Sequence, residues 1–146
     1  MDRAIRNGRP YVPSMRKTVA VLAMLGRLLG VIQILVGLAI WFGFAARTVA
    51  FHMAVGSLFV LVLWIVGLIA LFVLDKRGLA LFTLLWGGLV LWFGMAQTTL
   101  LVGTGHWAIR LAHLLVGMAA IGLVESLGKA TKAHYAAKET ASMTAA

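Results

Sequence analysis

Four long apolar runs, separated by polar stretches of only a few residues, limit what this chain can fold into more than any other feature. They are Val19–Phe44, Thr48–Leu74, Leu79–Val102 and Trp107–Leu127, each at or above the roughly 20 residues an α-helix needs to cross a hydrocarbon core. Lipid offers no water to bond backbone N–H and C=O groups, so spans of this kind must be helical. The connections "AAR", "DKRG" and "GTGH" are too short for a return crossing, which makes successive helices antiparallel neighbours. The expected fold is all-α: an integral membrane four-helix bundle running up-down-up-down. Composition agrees, with 62% hydrophobic residues against roughly 45–50% in soluble domains.

The chain divides into an N-terminal segment (1–18), the four-helix bundle (19–130) and a C-terminal tail (131–146). The first apolar run exceeds the about 7–15 residues of a signal-peptide core and lacks a small-residue cleavage site after it, so it reads as a retained span. The absence of cysteine excludes a disulfide, a thiolate metal site and a covalently attached c-type heme. Both ends of the chain are polar enough to be expected loosely ordered or held by a partner.

The net charge of +9 does not point to nucleic acid, because no aromatic-studded basic face accompanies it. Topology accounts for it instead. Arg3, Arg6, Arg9, Arg16 and Lys17 precede the first span, Lys76 and Arg77 fill the middle loop, and Lys129, Lys132 and Lys138 follow the fourth. The other two connections hold only Arg47 and Arg110. By the positive-inside bias both termini are expected in the cytoplasm, in a bacterial inner membrane or its equivalent. Arg27, near the same end of span one, is expected to snorkel to the headgroups. The Gly26-x-x-x-Gly30 pattern beside it permits close helix approach but is common in membrane helices.

Polar residues inside the spans are few, and ionisable ones there are functional candidates by default. His52 and His113 lie four to six residues past the starts of spans two and four, roughly 6–9 Å deep at 1.5 Å per residue. Those two spans run parallel, so the imidazoles share a depth. Their contexts also match: "FHMAVG" and "AHLLVG" each read His-x-x-x-Gly, with Arg47 and Arg110 upstream. Two neutral imidazoles facing one another are the axial donors of a six-coordinate heme b. Gly56 and Gly117, one turn further along, are expected to leave room for the ring. Arg47 and Arg110 are expected to meet its propionates. The bland alternative, an inter-helix hydrogen bond, accounts for a single histidine more readily than for a matched pair.

Other polar positions carry weaker signals. His106 and His134 are expected to be interfacial or solvated, and Met95 and Met118 to be packing residues. Glu125, roughly 18 Å deeper than His113, is expected to pair with Lys129 at i+4. Gln33, Gln97, Thr98 and Thr99 suit either a quinone or helix-to-helix bonds, with the latter preferred. The tryptophans at 41, 64, 86, 92 and 107 include interface anchors.

Four antiparallel spans with histidines near the outer ends of spans two and four, about sixty residues apart, resemble one half of the heme A synthase bundle. That family duplicates such a unit, and each half presents a histidine pair to a heme. The resemblance implies that His52 and His113 occupy the ligand positions. The family's catalytic half carries a glutamate one turn before its first histidine, where this chain has Val49. What the resemblance implies is therefore a b-type heme bundle rather than heme A synthesis. On this reading the chain is a small cytochrome b subunit of a respiratory or photosynthetic complex. Its expected partners are membrane lipid, the other subunits and a candidate quinone. Two alternatives stay open: a chlorophyll-type pigment on each histidine, or a cofactor-free membrane scaffold. No dinucleotide motif or catalytic constellation is present.

Overall fold

The computed structural model describes residues 13–75 and 77–144. The described residues form four helices: α1 (Pro13–Trp41), α2 (Val49–Val73), α3 (Gly78–Ala96) and α4 (His106–Thr144). A single 3₁₀ turn, Ala46–Thr48, lies between α1 and α2. All four helices are long and apolar enough to cross a membrane, so the all-α four-helix reading holds. Arg3, Arg6, Arg9 and Lys76 lie outside the described residues.

The helix ends depart from hydropathy for local reasons. α1 stops at Trp41, short of the expected Phe44, because Gly43 takes φ +81°. The Phe44 N–H then donates to the Ala39 carbonyl at 2.9 Å and the Gly43 N–H to Ile40 at 3.0 Å, a Schellman cap that only glycine enters without strain. α3 ends six residues before Val102. The loop that follows turns through Gly103 at φ +109° and Leu101 at φ +48°. The tail expected to be loosely ordered is instead a continuation of α4 to Thr144. Its alanines and alternating charges favour helix even beyond the lipid.

Around the bundle α1 packs on α2 and α4, and α3 packs on α2 and α4. Across its diagonals α2 touches α4, while α1 and α3 make no contact among the described residues. The core is concentrated at one end. Val19 and Leu29 of α1, Phe59 to Ala70 of α2, Ala80 and Thr83 of α3, and Ala120 to Leu127 of α4 supply its buried side chains. Wherever side chains are described, none between 31 and 58 or between 88 and 119 is buried. The close-packed half is the basic half, toward the α2–α3 loop and both termini.

Small residues set the α1–α4 seam. A Cβ on Gly30 would fall 2.6 Å from the Ile121 Cγ1, one on Gly26 2.7 Å from the Val124 Cγ1, and one on Gly128 2.8 Å from the Ala23 Cβ. The Gly26-x-x-x-Gly30 pattern thus lets Ile121 and Val124 of α4 approach the α1 backbone closely, as small residues do between membrane helices. Ion pairs continue the seam. Arg27 donates from Nε to the Glu125 Oε1 at 2.5 Å, Lys129 holds the Glu125 Oε2 at 3.4 Å, and Arg16 reaches Glu139 at 3.3 Å. The expected Glu125–Lys129 pair is present. Arg27, expected only to snorkel, shares the same carboxylate from the neighbouring helix.

Candidate functional site

The diagonal contact between α2 and α4 brings His52 and His113 together at the loosely packed end of the bundle. Their ring centroids are 6.3 Å apart with planes inclined by 59°. Both side chains are half-buried. In each ring Nδ1 is buried and has no hydrogen-bond partner among the described residues. Phe93 of α3 packs against His113, centroid to centroid 5.9 Å.

Glycines on the two remaining helices admit these rings. A Cβ on Gly37 of α1 would lie 3.2 Å from the His52 Cε1, and one on Gly94 of α3 would lie 3.4 Å from the His113 Cε1. Neither glycine was singled out in the sequence. Counted inward from the ends of α1 and α3, Gly37 and Gly94 stand within about a turn or so of the depth of the histidines, and that was the available signal. The glycines expected to make room do something else. Gly56 faces Gln33, whose Nε2 a Cβ there would meet at 2.5 Å, and Gly117 faces open space. The physical reason is register: α1 and α2 are antiparallel, so Gly37 opposes His52 and Gln33 opposes Gly56 one turn deeper.

Gln33 itself joins the group. Its Oε1 is buried and without a partner among the described residues, so the helix tie preferred from sequence is not made by that oxygen. Helix ties come from tryptophan instead: Trp64 donates to the Leu84 carbonyl at 3.0 Å and Trp86 to that of Val116 at 3.1 Å. Trp92 and Trp107 are exposed on the outside of the bundle, as are Met95 and Met118. His106 opens α4 half-buried, its Nδ1 3.1 Å from the Leu100 carbonyl, and so helps pin the α3–α4 loop.

Arg47 and Arg110 are exposed at the histidine end, and neither has an ion-pair partner among the described residues. They could meet an anionic group arriving from that side. Chemically, the site offers two facing imidazoles, a glutamine amide, an aromatic wall and two unpaired cations.

The separation of the rings tests what they fit. One metal bound through a nitrogen of each imidazole, at about 2.0–2.1 Å per bond, places the ring centres roughly 6 Å apart. Among the described residues no group of three or more His, Cys, Asp or Glu converges. Two protein donors alone do not complete the shell of a bare ion, whereas a tetrapyrrole supplies four equatorial nitrogens and asks the protein for two. The donor set therefore fits a metal macrocycle better than a free metal. No protein family, curated protein or solved structure matches this chain.

Proposed function

We propose that the bundle is a small membrane cytochrome b that carries one b-type heme on His52 and His113 and transfers single electrons within a larger redox complex. The observation that supports this most is the facing pair of imidazoles, 6.3 Å apart, each with a buried nitrogen that no protein group satisfies. Buried polar atoms of folded proteins are nearly always partnered, and membrane interiors raise the cost of leaving them bare. A ligand that takes up both Nδ1 atoms would remove that cost.

The bound heme would supply one-electron redox chemistry. The chain's part is to hold it. His52 and His113 orient it from α2 and α4, Gly37 and Gly94 let the rings turn without obstruction, and Phe93 shields His113 from lipid. Arg47 and Arg110 would neutralise the propionates, which sets the edge of the heme toward the aqueous face nearest them. With the basic end cytoplasmic by the positive-inside bias, that face is the outer one, accessible to an extracytoplasmic donor. Quinone or a further cofactor in the complex is the proposed acceptor.

The pigment alternative is less well supported, because separate five-coordinate pigments have no need of imidazoles that converge. A cofactor-free scaffold would bond its histidines between helices, and neither Nδ1 has such a bond. The test is the absorption spectrum of the purified full-length protein. A sharp Soret band with α and β bands that grow on dithionite addition is expected; far-red absorption without redox response, or no visible absorption after heme supplementation, overturns the proposal.

A further inference from the structure

At the opposite end of the bundle a second site is built from charge. A cleft of about 310 Å³ opens between α1 and α4, lined by Arg16, Lys17, Ala20, Lys132 and Glu139. This volume falls at the lower end of the roughly 300–1,000 Å³ of small-molecule sites. Three cations and one carboxylate line it. Arg16 is spoken for by Glu139 at 3.3 Å, whereas Lys17 and Lys132 have no ion-pair partner among the described residues. Two lysines from two different helices thus line one concavity, with the small side chain of Ala20 in its wall.

We propose that this cleft binds a phosphate-bearing anion, with Lys17 and Lys132 as the recognising charges and Arg16, positioned by Glu139, at its rim. The height of the cleft favours a lipid headgroup as the source. The apolar run of α1 begins at Val19 and that of α4 ends at Leu127, so Lys17 and Lys132 flank the apolar runs within a few residues, where long side chains reach the level of lipid phosphates. Basic clefts between membrane helices recognise anionic headgroups by this chemistry. A lysine is suited to it, as a compact charge with three donors on a flexible stem. Occupancy would also clamp α1 to α4 at the end where Arg27 and Glu125 already join them. The site is independent of the heme proposal, sharing none of its residues.

The test uses the purified full-length protein in detergent. Native mass spectrometry in the presence of phosphatidylglycerol or phosphatidylcholine reads retained lipid, for the wild type and for the double variant Lys17→Gln, Lys132→Gln. The expected result is preferential retention of phosphatidylglycerol by the wild type and a loss on the order of thirtyfold in the variant, from about 1 kcal/mol per lysine near an anionic surface. Lys17→Arg with Lys132→Arg should keep retention, which separates charge recognition from damage to the fold. A second arm measures the thermal midpoint with inorganic phosphate against chloride at equal ionic strength. A rise seen only in the wild type identifies free phosphate as a sufficient ligand, and no rise together with lipid retention identifies the headgroup. Equal retention of both lipids, or equal behaviour of wild type and glutamine variant in both arms, overturns the proposal.

Discussion

The two ends of the bundle treat polar side chains in opposite ways. At the basic end two glutamates find bases: Arg16 pairs with Glu139, and Arg27 and Lys129 share Glu125, over a core of fully buried Val, Leu and Ala side chains. At the histidine end, the Nδ1 atoms of His52 and His113 and the Oε1 of Gln33 are buried without partners, and the packing holds no buried side chain. Thr131 is the exception at the basic end, buried with its hydroxyl unpartnered. A membrane protein whose polar groups serve only its own structure satisfies them internally. The half that leaves several bare, next to loose packing, is the one on which the heme proposal rests.

The largest effect expected from breaking this contrast is at the ligands. His113→Ala or His52→Ala should abolish the low-spin heme spectrum of the purified protein while leaving its helical circular dichroism unchanged; intact α and β bands in either variant would sink the axial assignment. Next is Gly37→Leu. With a Cβ already 3.2 Å from the His52 Cε1, the remaining side chain must displace the imidazole, and heme content per chain should fall by about tenfold or more, on the scale of the 1–3 kcal/mol of overpacking. Gly117→Leu, which faces open space, should retain heme, and that difference separates the glycines found in the structure from those expected from sequence.

At the other end, Gly30→Leu drives atoms into Ile121 and should destabilise the α1–α4 seam by about 1–3 kcal/mol, read as a lowered thermal midpoint with an unaltered heme band. Glu125→Gln, which leaves Arg27 and Lys129 without their shared carboxylate, should lower the midpoint by less than Gly30→Leu does and also spare the spectrum. The smallest effect belongs to Gln33→Leu. Because no protein group bonds the amide oxygen, stability of the heme-free protein should change by no more than about 0.5 kcal/mol; a large loss would show that Gln33 is an inter-helix tie after all.

Much of this was legible in the sequence, and the rest failed for a definable cause. Depth is linear in residue number, so the shared height of His52 and His113 followed from counting. The turn at Gly43 was not read, although a glycine just past an apolar helix is a cap signal. Helix rotation was harder. A helix that is apolar all round presents no stripe to orient it, so nothing in "HMAVG" told that Gly56 would meet Gln33 while Gly37, fifteen residues earlier on another helix, would meet His52. The partnership of Arg27 with Glu125 was hidden likewise, since 98 residues separate them.

The sequence by itself determined the number of spans, their antiparallel order, the basic end and the common depth of two histidines, because hydropathy and loop length act through local chain geometry. Only the tertiary structure decided which faces meet. The contact of α2 with α4 across the diagonal, the glycines of α1 and α3 that receive the rings, and the loose packing of that half depend on side-chain shape between helices equally apolar on every side, and lipid, as apolar as they are, exerts no preference among their rotations.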